Sequence, residues 1–77
     1  NHVLPSISFE FNKRLTNVAL NCLSILAKNP DLLYNFSAYE SGIFHFHSWQ
    51  TNQKLQAFIQ NPELQILTGD IYVRRRL

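Results

Sequence analysis

Hydrophobic and polar residues alternate strictly over residues 6–12, "SISFEFN", with Ile7, Phe9 and Phe11 on one side and Ser8, Glu10 and Asn12 on the other. A period of two is that of a strand with one buried face, because successive side chains leave the pleated backbone on opposite sides. From Lys13 the period lengthens. Leu15, Val18, Ala19, Cys22, Leu23, Leu26 and Ala27 recur at three- and four-residue intervals, the stripe of an amphipathic helix. "NPD" at 29–31 ends it, since Pro30 has no N–H for the helical ladder and turns Asn29 away from helical angles.

Alternation returns in "LLYNFSAYES" (32–41), where Tyr34, Phe36 and Ala38 oppose Leu33, Asn35, Ser37 and Tyr39. "ESG" (40–42) predicts a tight turn in which Gly42 takes positive φ, and "IFHFHSW" (43–49) the partner strand of a hairpin. Thr51 is placed to cap a second helix carrying Leu55, Phe58 and Ile59, and Asn61-Pro62 stands near its end. "TGD" (68–70) is expected to turn into a last strand from Ile71 to Arg75. The order is β-α-β-β-α-β. It predicts one α+β domain over residues 1–77: a ferredoxin-like, four-stranded antiparallel sheet with two helices on one face. "NVALNCLSILAKNPDLL" alone would also suit an armadillo-type helix, but one repeat cannot bury its own core and the period-two segments oppose it.

Composition narrows the classes. Hydrophobic residues make up 45% and aromatics 13%, a folded globular composition rather than a disordered one. A chain of 77 residues buries only about 60% of its unfolded surface and gains from a partner subunit. No apolar run approaches the roughly 20 residues that span a bilayer. "NHVLPSISFEF" has neither the charged start nor the apolar core of a signal peptide. The absence of an initiator Met suggests a trimmed or processed product, and the expected location is cytoplasmic. The single cysteine, Cys22, lies among aliphatic residues as a small buried hydrophobe, compatible with a reducing compartment. Net charge is +2, yet Arg74, Arg75 and Arg76 supply three of seven basic residues. Residues 1–73 therefore carry four basic against five acidic residues, which argues against the distributed basic face of a nucleic-acid binder. The arginine run reads as a solvated terminal strand, or as an anion contact or processing site.

In a regular strand, parity would send Phe44 and Phe46 under the helices and His45, His47 and Trp49 to the uncovered face. The opposite assignment stays open, since both sides hold large aromatics. Either way the sheet looks too apolar on both sides for a solvated monomer, which points to an interface or a ligand cavity. His45-x-His47 offers two ligands where zinc needs three, so no metal is expected. A catalytic histidine paired with Glu10 or Asp70 has no motif behind it, and no P-loop, dinucleotide loop or nucleophile elbow occurs.

Trp49-Gln-Thr51-Asn-Gln-Lys-Leu55, followed by Asn61-Pro62, resembles the W-x-S/T-x-x-x-L helix start of the antibiotic biosynthesis monooxygenase (ABM) superfamily, the dimeric α+β barrels. "ILAKNPDLLYNFSAYES" resembles that family's first-helix end, Pro-containing turn and second strand, so the likeness spans roughly residues 6–64. It implies a homodimer with two sheets packed through the uncovered face. It also implies an internal cavity that in some members binds a flat aromatic substrate or haem and oxidises it with O2, without a metal or flavin of the protein's own. The cavity residues it suggests are Trp49, as a wall, and His45, His47, Asn12 and Asn35, as polar partners. The second helix lacks the histidines many members carry there, having Phe58 and Glu63 instead, and this departure bears on activity more than on fold.

Two other likenesses compete. "IQNPELQILTGDIYVRRR", with Pro62, Leu64, Ile66 or Leu67, and Asp70, is similar to the end of subtilisin-type propeptides and their inhibitor relatives, which implies protease inhibition and folding assistance. An RRM-like sheet with Phe9 or Phe11 beside Phe44, Phe46 or Trp49 would stack RNA bases, although the basic and glycine residues of that motif are absent.

Overall fold

A computed structural model describes residues 6–39 and 41–76. Strand β1, Ser6–Asn12, leads through a 3₁₀ turn at Lys13–Leu15 into helix α1, Thr16–Leu26. Strand β2 is Leu32–Ala38, helix α2 is Asn52–Gln60 and strand β3 is Thr68–Arg75. The fold is thus α+β, a three-stranded antiparallel sheet with two helices. Among the described residues no helix is long and apolar enough to cross a membrane.

The period-two segments fold as their alternation requires. In the order β1-β3-β2, Phe9 pairs with Ile71 and Ile71 with Phe36, while Val73 faces Tyr34, so the large residues of all three strands share one face. Ala19 and Leu23 of α1 and Leu55 and Ile59 of α2 close that face into a single core with Phe11, Tyr34, Phe36, Leu64, Ile71 and Val73. At its centre the Phe36 ring meets Phe11 and Phe58 edge-on, with centroids 5.6 and 5.1 Å away. Burying each large side chain contributes about 1.5–3 kcal/mol, and this face supplies most of the chain's hydrophobic stabilisation.

The helix ends follow their capping residues. Thr51 accepts from the Lys54 N–H at 3.2 Å, satisfying one of the unpaired amides that open α2. Asn52 donates from one amide nitrogen to the Leu23 carbonyl and to Tyr34 Oη, tying α2 to both α1 and β2. β1 and β2 run parallel with an antiparallel strand between them, the split arrangement expected. The inserted strand, however, is the last of the chain rather than the hairpin strand.

Two expectations need correction. "TGD" is not a turn: Thr68, Gly69 and Asp70 belong to β3, and Gly69 serves close packing, because a Cβ there would come within 2.6 Å of Phe36 Cζ. Nor do residues 43–49 form a continuous fourth strand. They follow the outer edge of β2, but pair with it only at Ser37–Phe44 and Tyr34–Gln50. Gly42 does adopt positive φ, 71°, as the turn requires, and so does Tyr39, at 54°; Glu40 of the expected turn lies outside the described residues.

The reason is a count. Between Tyr34 and Ser37 β2 advances three residues, whereas the facing segment takes six from Phe44 to Gln50, so three are surplus. The surplus forms a wide bulge held by the Asn35 side chain. Its Oδ1 accepts the Phe46 N–H at 3.2 Å and its Nδ2 donates to the Phe46 carbonyl at 3.1 Å. Backbone hydrogen bonds close both ends: His45 N to Phe36 O, and a reciprocal pair between Tyr34 and Gln50.

Candidate functional site

An odd number of surplus residues reverses parity. Phe44 pairs with Ser37 and so takes the sheet face away from the helices. Trp49, five residues on, would face the opposite way in a regular strand, yet the bulge returns it to the same face. The two rings meet edge-on with centroids 5.2 Å apart. Beneath them lie Tyr72 and Arg74, which β3's alternation presents to that face. The Tyr72 ring is 5.1 Å from Phe44, and the Arg74 guanidinium lies 4.5 Å above the centre of the Trp49 ring.

The result is a compact group of three aromatic rings and one cation on the sheet face away from the helices. A guanidinium over an indole face is attracted by the ring quadrupole, by about 0.5–2 kcal/mol depending on desolvation. Arg74 Nε is shut off from water and finds no hydrogen-bond partner among the described residues. Phe44 is the most open member, 46% exposed, while Trp49, Tyr72 and Arg74 are half-buried. Such a group can stack a planar ring on Phe44 and Trp49 and offer it positive charge.

The residues expected to share a cavity are distributed over the molecule. Trp49 belongs to the aromatic group. His45 turns instead to the helix side, where its ring packs 4.9 Å from Phe58 and 4.8 Å from Phe46. Phe46 does face the core margin as parity suggested, but Phe44 does not. His47 is exposed. Asn35 is buried and fully used in holding the bulge, with Oδ1 also accepting the Phe36 N–H. Asn12 stands at the far end of β1, opposite Thr68, where it accepts the Arg14 N–H and lines a ≈ 290 Å³ cleft with Lys13, Arg14, Leu67 and Thr68.

Glu10 and Asp70 are direct cross-strand neighbours on the face away from the helices, bordering a ≈ 230 Å³ cleft with Tyr39, Thr68 and Gly69. The sheet separates this pair from His45, so the acid–histidine pairing considered from sequence does not form. Among the described residues, Tyr34 has a displaced pKa: burial pushes its hydroxyl above the ordinary 10.0, partly offset by the hydrogen bond from Asn52.

Sequence reasoning singled out Trp49 but missed Phe44, Tyr72 and Arg74 as its companions. Alternation in "IYVRR" places Tyr72 and Arg74 together on one face. Nothing in the sequence reports the three surplus residues that bring Phe44 and Trp49 over them. No family model, curated protein or solved structure matches the chain.

Proposed function

We propose that this chain is a small cytoplasmic ligand-binding protein of the ABM kind, with a ferredoxin-like relation between its strands, that works as a homodimer and holds a flat aromatic molecule against its sheet. The observation that carries the proposal is the group formed by Phe44, Trp49, Tyr72 and Arg74. It replaces the mixed set of Trp49, His45, His47, Asn12 and Asn35 as the ligand contact. Trp49 keeps the wall role that the resemblance gives it, Phe44 supplies the open stacking surface and Arg74 supplies charge. Oxidation of the bound ring by O2, the activity the resemblance implies, extends this reading and would appear as ligand-dependent oxygen uptake.

Because Trp49 is the chain's one tryptophan, its emission reports on the site directly. Titration with a planar probe such as 1-naphthol should quench it saturably. Phe44→Ala should weaken binding about tenfold, the equivalent of one aromatic contact of ~1.4 kcal/mol, with an unchanged far-ultraviolet circular dichroism spectrum. Quenching that stays linear in probe, or is the same in Phe44→Ala, contradicts the proposal.

A further inference from the structure

Arg74 is held in the aromatic group by a ring face rather than by an acceptor. Its guanidinium lies 4.5 Å over the centre of the Trp49 ring, and its Nε is shut off from water with no hydrogen-bond partner among the described residues. Stacking engages the plane of a guanidinium and leaves its edge, where all the N–H donors lie, for another group. The side chain is only half-buried, and its two terminal nitrogens carry most of those donors.

The charges of this sheet face are sorted along it. Arg74 pairs across the sheet with Ser6 and Leu33, neither of them an acid. Glu10 and Asp70 oppose each other in another row. Asp70 stands four positions before Arg74 on β3, about 13 Å along the strand. Asp31 is at the arginine end, opposite Arg76, whose N–H its carbonyl accepts. Arg74, Arg75 and Arg76 against Asp31 leave that end positive, while Glu10 and Asp70 leave the other end negative.

We infer that the planar ligand of this site is an aromatic acid, its ring on Phe44 and Trp49 and its carboxylate accepting hydrogen bonds from Arg74. The inference rests on the ligand reading above and adds the ligand's charge and orientation to it. A carboxylate matches the parallel N–H groups of a guanidinium edge, and such charge-assisted bonds are about twice as strong as neutral ones. A neutral ring gains the stacking alone. The spacing suits one small molecule: the Phe44 and Trp49 ring centres are 5.2 Å apart and the guanidinium is 4.5 Å beyond Trp49, so a fused two-ring acid spans both contacts. Glu10 and Asp70 repel an acid group laid the other way, which fixes the direction.

Trp49 emission in the wild-type chain can compare three probes with one ring system: 2-naphthoate, 2-naphthol and 2-naphthylmethylammonium. 2-Naphthoate should bind about tenfold more tightly than 2-naphthol, and the ammonium most weakly. Added salt should narrow the gap between acid and alcohol, because the contact is half open to water. Arg74→Gln should bring 2-naphthoate down to the affinity of 2-naphthol, and Arg74→Lys should keep part of the preference. Equal binding of the acid and the alcohol by the wild-type chain overturns the inference and leaves the ligand reading standing. Saturable quenching by none of the three removes both. A preference for the acid that persists in a folded Arg74→Gln also overturns the inference, since the carboxylate then sits elsewhere.

Discussion

Buried beside the outer edge of β2, the Asn35 carboxamide takes over both hydrogen bonds of a backbone group that strand pairing has lost, those of Phe46. A buried amide left without partners costs about 1–3 kcal/mol, so this single side chain makes the bulge affordable in an apolar setting. Asn35 stood out in the sequence as a polar residue on an alternating strand, but its partner was not legible, because the contact depends on register. Tyr34, on the same strand, has 0% of its surface exposed. Its raised pKa gives a signed prediction. The unfolded hydroxyl ionises near 10.0 and the folded one later, so above 10.0 the folded state holds the extra proton and stability falls as pH rises. Urea midpoints should therefore hold steady up to about pH 9 and then decline, and Tyr34→Phe should lack this part of the alkaline loss.

At the scale of elements, periodicity was a good guide wherever one face packs on the core. β1 was read to both its ends, Ser6 and Asn12, and both helices and β2 fell where their apolar spacing placed them. β3 was read as starting too late because Gly69 was taken as a turn residue. The glycine is there so that the Phe36 ring and the Ser37 carbonyl can close on the strand: an added Cβ would lie 2.6 and 2.5 Å from them. Gly69→Ala should accordingly destabilise the fold by about 1–3 kcal/mol through overpacking, read as a lowered urea midpoint. The segment 43–49 failed as a strand for a different reason. Its alternation of His and Phe has the right period, but it lies on a sheet edge where a side chain can replace a ladder bond, and period alone does not count surplus residues.

For the molecule as a whole, the sequence showed that one sheet face and both helices make a core, and that apolar surface is left over. The face away from the helices is mostly polar, with Ser8, Glu10, Asn12, Thr68, Asp70 and Ser37, and its aromatic character is confined to the group gathered by the bulge. Exposed aliphatic residues stand on β1, on α1 and the turn before it, and also at Ile43 and Leu67. The aromatic group is the surface proposed above for a planar ligand. The ligand site depends on one geometric claim, that Phe44 and Trp49 share a sheet face although their positions in the chain have opposite parity. Nuclear Overhauser contacts measure this directly. The account predicts contacts from the Phe44 ring to both the Trp49 indole and the Tyr72 ring, and from the His45 ring to Phe58. A regular ladder of cross-strand contacts through residues 43–49, with Trp49 beside His45 and His47 and Phe44 in the core, would contradict it.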